Sequence, residues 1–290
     1  MNGRAVAPAA GTVLNALATG TGSAFAIDLE TTATVELTDD GDVNGEIAGQ
    51  PAADASLIKR CGAIAIEEYA DAAGVDPATT GAAIRTDSEV PMASGLKSSS
   101  AAANATVLAT LDALGVAGDI DRIDACKLGV RAAREAGVTV TGAFDDASAS
   151  MLGGVTVTDN TTDELLAREE LDWHALVYTP PEQSFSADAD VSACEQIAPM
   201  ADLVTELALD GRYGEAMTVN GFAFCGALGF STAPMIDVMP DVAGVSLSGT
   251  GPSYVAVGDR ATLETVQDRW TDRDGTTRLL GTQTDGTRTT

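Results

Sequence analysis

One segment constrains this chain more than any other: Val90, Pro91, Met92, Ala93, Ser94, Gly95, Leu96, Lys97, Ser98, Ser99, Ser100 and Ala101, running on into an alanine-rich stretch that ends at residue 114. Proline and small residues make a turn, and the alanines after the serines predict a buried helix over 101–114. The first N–H groups of a helix have no partner inside it and stand at the positive end of its dipole, so such a start binds anions. Gly95 permits close backbone approach, the three serines can cap the helix or offer hydroxyls to a phosphate or a phosphate-bound metal, and Lys97 adds a mobile positive charge. An ordinary serine-capped core helix fits the same residues. A Walker A loop does not, because Leu96 rather than glycine precedes Lys97.

The rest of the chain narrows the partners such a loop can have. At 290 residues it can hold one large domain or two small ones sharing a core. Its 43 acidic residues against 16 basic ones give a net charge of −27, spread along the sequence, and a field of that sign repels nucleic acid and anionic membranes. The hydrophobic share of 45% argues against disorder, so the acid-rich, lysine-poor composition reads as a salt-adapted cytoplasmic protein. Cys61, Cys126, Cys194 and Cys225 form no Cys-x-x-Cys pair, which favours single buried thiols over a metal cluster or a disulfide framework. No basic leader precedes an apolar core at the amino terminus, and no apolar run approaches the ~18 residues of a membrane span. The single histidine, His174, sits in a strand-like run where a structural role is expected.

Around the loop, residues 4–35 read as β-rich with a glycine turn at Gly20 and Gly22, where Asn15 and the turn could form a wall for a ligand or serve as plain turn structure. Leu57, Cys61, Ile64, Ala65 and Tyr69 recur at helical spacing, and a strand over 81–90 then delivers the chain to the loop. A second helix over 121–136 carries Arg131, Arg134 and Glu135 near its end. Beyond it, Asp145 and Asp146 lie among small residues ahead of Gly153 and Gly154, a pattern that also suits the acidic first turn of any helix. The spacing further predicts a short exposed helix over 163–170, one amphipathic helix over 191–209, and a segment over 212–229 that starts helical and turns glycine-rich. A glycine hairpin over 242–257 carries Ser248, Gly249, Gly251 and Pro252; a helix over 261–272, a strand over 277–282 and frayed residues 285–290 close the chain.

These blocks resemble the GHMP kinases, the family of galactokinase, homoserine kinase, mevalonate kinase and phosphomevalonate kinase. Residues 91–102 are similar to its second motif, Pro-x-Gly-x-Gly-Leu-Gly-Ser-Ser-Ala-Ala, with Ala93 in place of the first glycine and Lys97 in place of the third. Ser248 to Pro252 resembles its Ser-Gly-x-Gly-Pro loop. Asp146 stands seven residues before Gly153, the distance at which mevalonate kinases carry the aspartate that faces the acceptor hydroxyl, and Glu135 and Ser99 fall where the family places its magnesium ligands. Asp145 competes with Asp146 for the same role. Many members also carry a lysine in their first motif; here Arg4 is the only cation in that region, and Lys97 could substitute. The variant Gly-Leu-Lys-Ser-Ser-Ser-Ala, together with Thr141 to Ala147, is similar to the archaeal shikimate kinase branch.

The resemblance implies an α+β fold of the GHMP kinase type, two lobes (1–155 and 156–290) of mixed β-sheets packed against helices, with a left-handed βαβ phosphate-loop unit. It implies ATP and Mg2+ as cofactors and shikimate as acceptor, with Arg4, Arg131 or Arg134 meeting the shikimate carboxylate. ATP would lie on residues 90–101 with Gly249 and Gly251, Mg2+ on Ser99 and Glu135, and Asp146 and Lys97 would be the catalytic pair. A homoserine or mevalonate type of kinase, or a nucleotide-binding module without turnover, are the other readings.

Overall fold

The computed structural model describes residues 1–91, 93–139, 141–182 and 190–290. Met92, the one residue of the phosphate loop assigned to nucleotide binding that falls in a gap, and Val140 lie outside the described residues.

The chain begins with two long antiparallel strands, β1 (Asn2–Leu14) and β2 (Thr21–Thr38). Their alanines and glycines keep the sheet face shallow, so helix backbone can come close: a Cβ on Gly3 would collide with the Ala109 carbonyl. There follow β3 (Val43–Ile47), α1 (Ser56–Tyr69) and β4 (Gly81–Ser88), a β–α–β unit whose two strands are parallel neighbours. A loop leads from β4 into α2 (Ser98–Leu114), and α3 (Arg122–Glu135) and α4 (Phe144–Leu152) come next. The hairpin β5 (Val155–Asp159) and β6 (Glu164–Glu169) adds to the first half of β2. The chain then runs through β7 (His174–Thr179), α5 (Val191–Glu195), α6 (Ala198–Leu209), α7 (Tyr213–Leu228), α8 (Ala233–Val238), β8 (Gly244–Leu247), β9 (Tyr254–Gly258), α9 (Arg260–Val266), α10 (Asp268–Thr271), β10 (Thr276–Gly281) and β11 (Arg288–Thr289).

A seven-stranded sheet has the order β11-β1-β2-β4-β3 with β5 and β6 attached through β2; a four-stranded sheet has the order β10-β7-β9-β8. The bridge between Ile27 and Thr282 links them. Helix α2 is buried almost all round. Ala101, Ala105, Leu108 and Ala109 join the core against the first sheet, while Ala103, Val107, Leu111 and Leu114 join the core shared with α1, α3 and α4. Its first turn reaches the surface, where Ser99 is exposed. A third core, from Phe25 and Ile27 to Val177, Val204, Met217 and Val255, fills the space between the two sheets and α6 and α7.

Several expectations from the sequence change here. Residues 163–170 form no helix: they become β6, because Leu165 and Ala167 turn inward on alternate positions beside β5, and sheet pairing overrides the helix propensity of Glu, Leu and Ala. The single helix over 191–209 is two, α5 and α6, with Pro199 in the first turn of the second. Residues 213–228 are helical throughout, their glycines serving contacts such as Gly221 against Met235 and Ser246. The terminal residues are not frayed: Thr287 is buried and β11 pairs with β1. The phosphate-loop helix begins at Ser98, earlier than its alanines suggest.

Candidate active site

The N-cap of α2 is Lys97, held in the left-handed region at φ 64°, and no side chain caps the helix. Ser98, Ser99 and Ser100 therefore lie in the first turn, with its N–H groups free of a side-chain cap. Loop and hairpin meet backbone to backbone. Ser248 Oγ donates to the Gly95 carbonyl at 2.9 Å and Ser253 N to the Ser94 carbonyl at 3.2 Å. A Cβ on Gly95 would collide with Ser248 O, and one on Gly249 would lie 2.7 Å from Lys97 Nζ. The hairpin is bracketed in turn: Gly249 N donates to Thr12 Oγ1 (2.8 Å), Asn15 Nδ2 to Gly249 O (2.9 Å), and Asn15 N to Asn220 Oδ1 (3.0 Å). Asn15 and Asn220 are thus buried brackets that hold the glycine loop from β1 and α7.

The first turn of α4 faces this loop. Ala143 enters it at φ 52°, and the two acidic residues that follow have different surroundings. Asp145 points away from the loop, packed where Gly22 has no side chain, and its Oδ1 accepts from Asn160 Nδ2 at 2.7 Å. Asp146 points at Lys97, with Nζ 2.9 Å from Oδ1 and both side chains largely buried. The contact is an ion pair without an aligned hydrogen bond. Burial, and next the charge of Asp145, push the Asp146 carboxyl up to about 7, while Lys97 pulls the other way.

The structure brings together Gly95, Lys97, Asp146, Gly249 and Gly251. Ser99, Ala133 near the end of α3 and Ala143 line one small cavity, so α2, α3 and α4 present their ends to the same space. Glu135, two residues past Ala133, is an exposed side chain paired with Arg60 and Arg131, and Arg60 holds its carboxyl below the usual range. Val90, Leu96 and Ala101 are buried in the core and can offer a nucleotide only their backbone; Pro91, Ala93 and Ser94 form the turn, where Ser94 Oγ donates to Pro91 O at 2.7 Å. The arginines considered for a substrate carboxylate are engaged elsewhere. Arg4 donates to Thr290 Oγ1, Arg131 pairs with Glu68, and Arg134 pairs with Asp163 and donates to the Thr141 and Asn160 carbonyls. Sequence reasoning missed Asn160, whose only signal is a polar turn between two strands.

Residues 56–154 match the family described as GHMP kinases N terminal domain. Over its whole length the chain is 62% identical to a shikimate kinase of Halobacterium salinarum, covering all of both chains. It is 50% identical to a shikimate kinase of Methanococcoides burtonii, covering 97% of this chain and 96% of that one. Among solved structures it superimposes on homoserine kinase of Cytophaga hutchinsonii with a TM-score of 0.75 at 17% identity, covering 100% and 97% of the two chains. The Methanococcus jannaschii mevalonate kinase gives 0.73, also at 17% identity, covering 97% and 98%. With these likenesses added to the geometry above, the chain belongs to the GHMP kinase family, in its archaeal shikimate kinase branch.

Proposed function

We propose that the chain phosphorylates the 3-hydroxyl of shikimate with ATP, giving shikimate 3-phosphate and ADP. The observation that carries this reading is the Lys97–Asp146 pair, a buried base beside a cation at the open end of α2. Phosphoryl transfer asks the protein chiefly to hold the phosphates in line and to neutralise charge. The N–H groups of the first turn of α2 and the backbone of residues 93–97 bind the nucleotide phosphates, and the 248–251 loop closes over them. Ionised Asp146 takes the proton of the acceptor hydroxyl as its oxygen attacks the γ-phosphorus and ADP leaves. Lys97 balances the charge that passes to the phosphate oxygens and supplies the cation that the first motif lacks.

The donors present suit a magnesium ion carried by phosphates, because magnesium on a nucleotide needs only one or two oxygen ligands from the protein and Ser99 and Glu135 both stand exposed at helix ends. Ser99 and Glu135 would hold it, Glu135 by exchanging its exposed pairing with Arg60. When bound, the ion would neutralise negative charge on the nucleotide phosphates. The full-length identity to shikimate kinases supports shikimate as acceptor, and the net charge of −27 supports a cytoplasmic protein that works in high salt.

The test is purified protein in molar KCl with ATP, magnesium and a panel of shikimate, homoserine and mevalonate, read by coupled ADP release. Shikimate-dependent ADP formation with phosphate on the 3-oxygen is expected. Turnover on another acceptor alone would reassign the substrate, and ATP binding without ADP release on any acceptor would sink the kinase reading.

A further inference from the structure

The geometry points to Asn160 as a positioning residue that determines which of two adjacent carboxylates serves as base. Asn160 lies in the turn between β5 and β6, buried, and its amide grips Asp145 at two points: Nδ2 donates to the carboxylate (2.7 Å), and Oδ1 accepts from the Asp145 main-chain N–H (3.1 Å). Thr158 Oγ1 donates to the same Oδ1 at 2.8 Å, which fixes the amide's orientation. The backbone of Asn160 joins two other parts of the site. Its N–H donates to Gly20 O in the β1–β2 turn at 2.9 Å, and its carbonyl accepts from Arg134 at the end of α3 at 3.1 Å. Three elements around the site therefore meet on one residue.

The consequence is steric and electrostatic together. On the first turn of a helix, neighbouring side chains point about 100° apart, so fixing Asp145 toward Asn160 and Gly22 fixes the helix rotation that turns Asp146 to Lys97. The hydrogen bond from Asn160 also keeps the Asp145 charge in place beside Asp146. Without Asn160, the buried carboxylate of Asp145 loses its side-chain donor and α4 can rotate to relieve it. Asp146 then leaves the line of attack while the phosphate loop stays whole.

Because Asp146 acts as base only in a kinase, this role rests on the function proposed above. The test is a double-mutant cycle of Asn160→Ala and Asp145→Asn on the full chain, reading kcat and the KM for ATP separately. Asn160→Ala should lower kcat about 10- to 100-fold with the ATP KM unchanged, the size of loss expected from a base displaced by about an ångström. In the Asp145→Asn background, which removes the charge that Asn160 restrains, adding Asn160→Ala should cost far less than it does alone. Asn160→Ser, which keeps a small polar group in the turn but cannot reach the Asp145 carboxylate, replaces Asn160→Ala if that variant does not fold. Equal losses in both backgrounds, or a fall in ATP affinity instead of kcat, would overturn the proposal. Asp146→Asn separates the two readings: full turnover in that variant overturns Asp146 as base, whereas an inactive Asp146→Asn with an additive cycle overturns only the role of Asn160.

Discussion

Asp145 and Asp146 are adjacent in sequence and opposite in environment. Asp145 is spent on Asn160, and Asp146 is left facing Lys97 with its carboxyl pushed up to about 7. A base must be ionised to accept a proton, so kcat/KM should rise with pH through about 7 and level off above it. Asp145→Asn, which removes the second cause of the shift, should move that limb to lower pH; a limb that stays in place would show that the charge of Asp145 does not reach Asp146. Asp146→Asn should bind ATP normally and lose about 10²-fold or more in turnover, measured by coupled assay. The stability sign runs the other way from activity. Folded Asp146 holds its proton more tightly than the unfolded chain, whose carboxyl has its usual value of 3.8, so its contribution to stability falls as pH rises from about 4 to about 7. Spacing in the sequence pointed to Asp146, but only packing separates it from its neighbour. Asn160 was not legible at all, because the partners that give it a role, Asp145, Arg134 and Gly20, lie 15 or more residues away along the chain and a polar turn looks the same with or without them.

Among the elements, the phosphate loop and the 248–251 hairpin depend on each other. The carbonyls of Ser94 and Gly95 accept from Ser253 and Ser248, and Gly95 leaves no room for a side chain. Gly95→Ala must separate the two loops or strain φ 81°, so we expect kcat/KM to fall about 10²-fold through misplacement of the phosphates. Titration with a fluorescent ATP analogue checks the cause, since unchanged binding would place the defect elsewhere. Among the described residues, the non-glycine residues with positive φ are Ala93, Lys97, Ala143 and Asp163; the first three lie at this site, where backbone strain tends to collect in proteins. Two of them, Ala93 and Lys97, stand where the family motif has glycine. The loop, the helix after it and the hairpin were readable because each is a local pattern. The β6 strand was not, since its helix-forming residues take strand geometry only beside β5.

At the scale of the molecule, the last residues tie the two sheets together. Gln283 N donates to Ala26 O, Gly154 N to Gln283 O, and Thr287 N and Oγ1 to Met151 O and Ser150 O at the far end of α4. Arg168 donates to Gly153, Leu152 and Thr284 carbonyls at the same junction. Removing residues 282–290 should lower stability by at least ~2 kcal/mol, given about 1 kcal/mol for each buried hydrogen bond lost, and reduce turnover because the helix carrying Asp146 loses its anchor. A truncated chain with an unchanged melting temperature would refute this. The net charge of −27 acts over the whole surface, so raising KCl from ~0.1 M to ~1 M, which contracts the Debye length from about 10 Å to about 3 Å, should raise the melting temperature in a thermal scan. The sequence alone determined the serine-bearing helix start, the glycine hairpin, the family and the negative field, because these are properties of contiguous residues or of summed charge. Only the tertiary structure decided which aspartate meets Lys97, what restrains the other, and that the terminus is a strap hydrogen-bonded to the end of α4: each depends on contacts between segments far apart in the chain, and no local pattern encodes those.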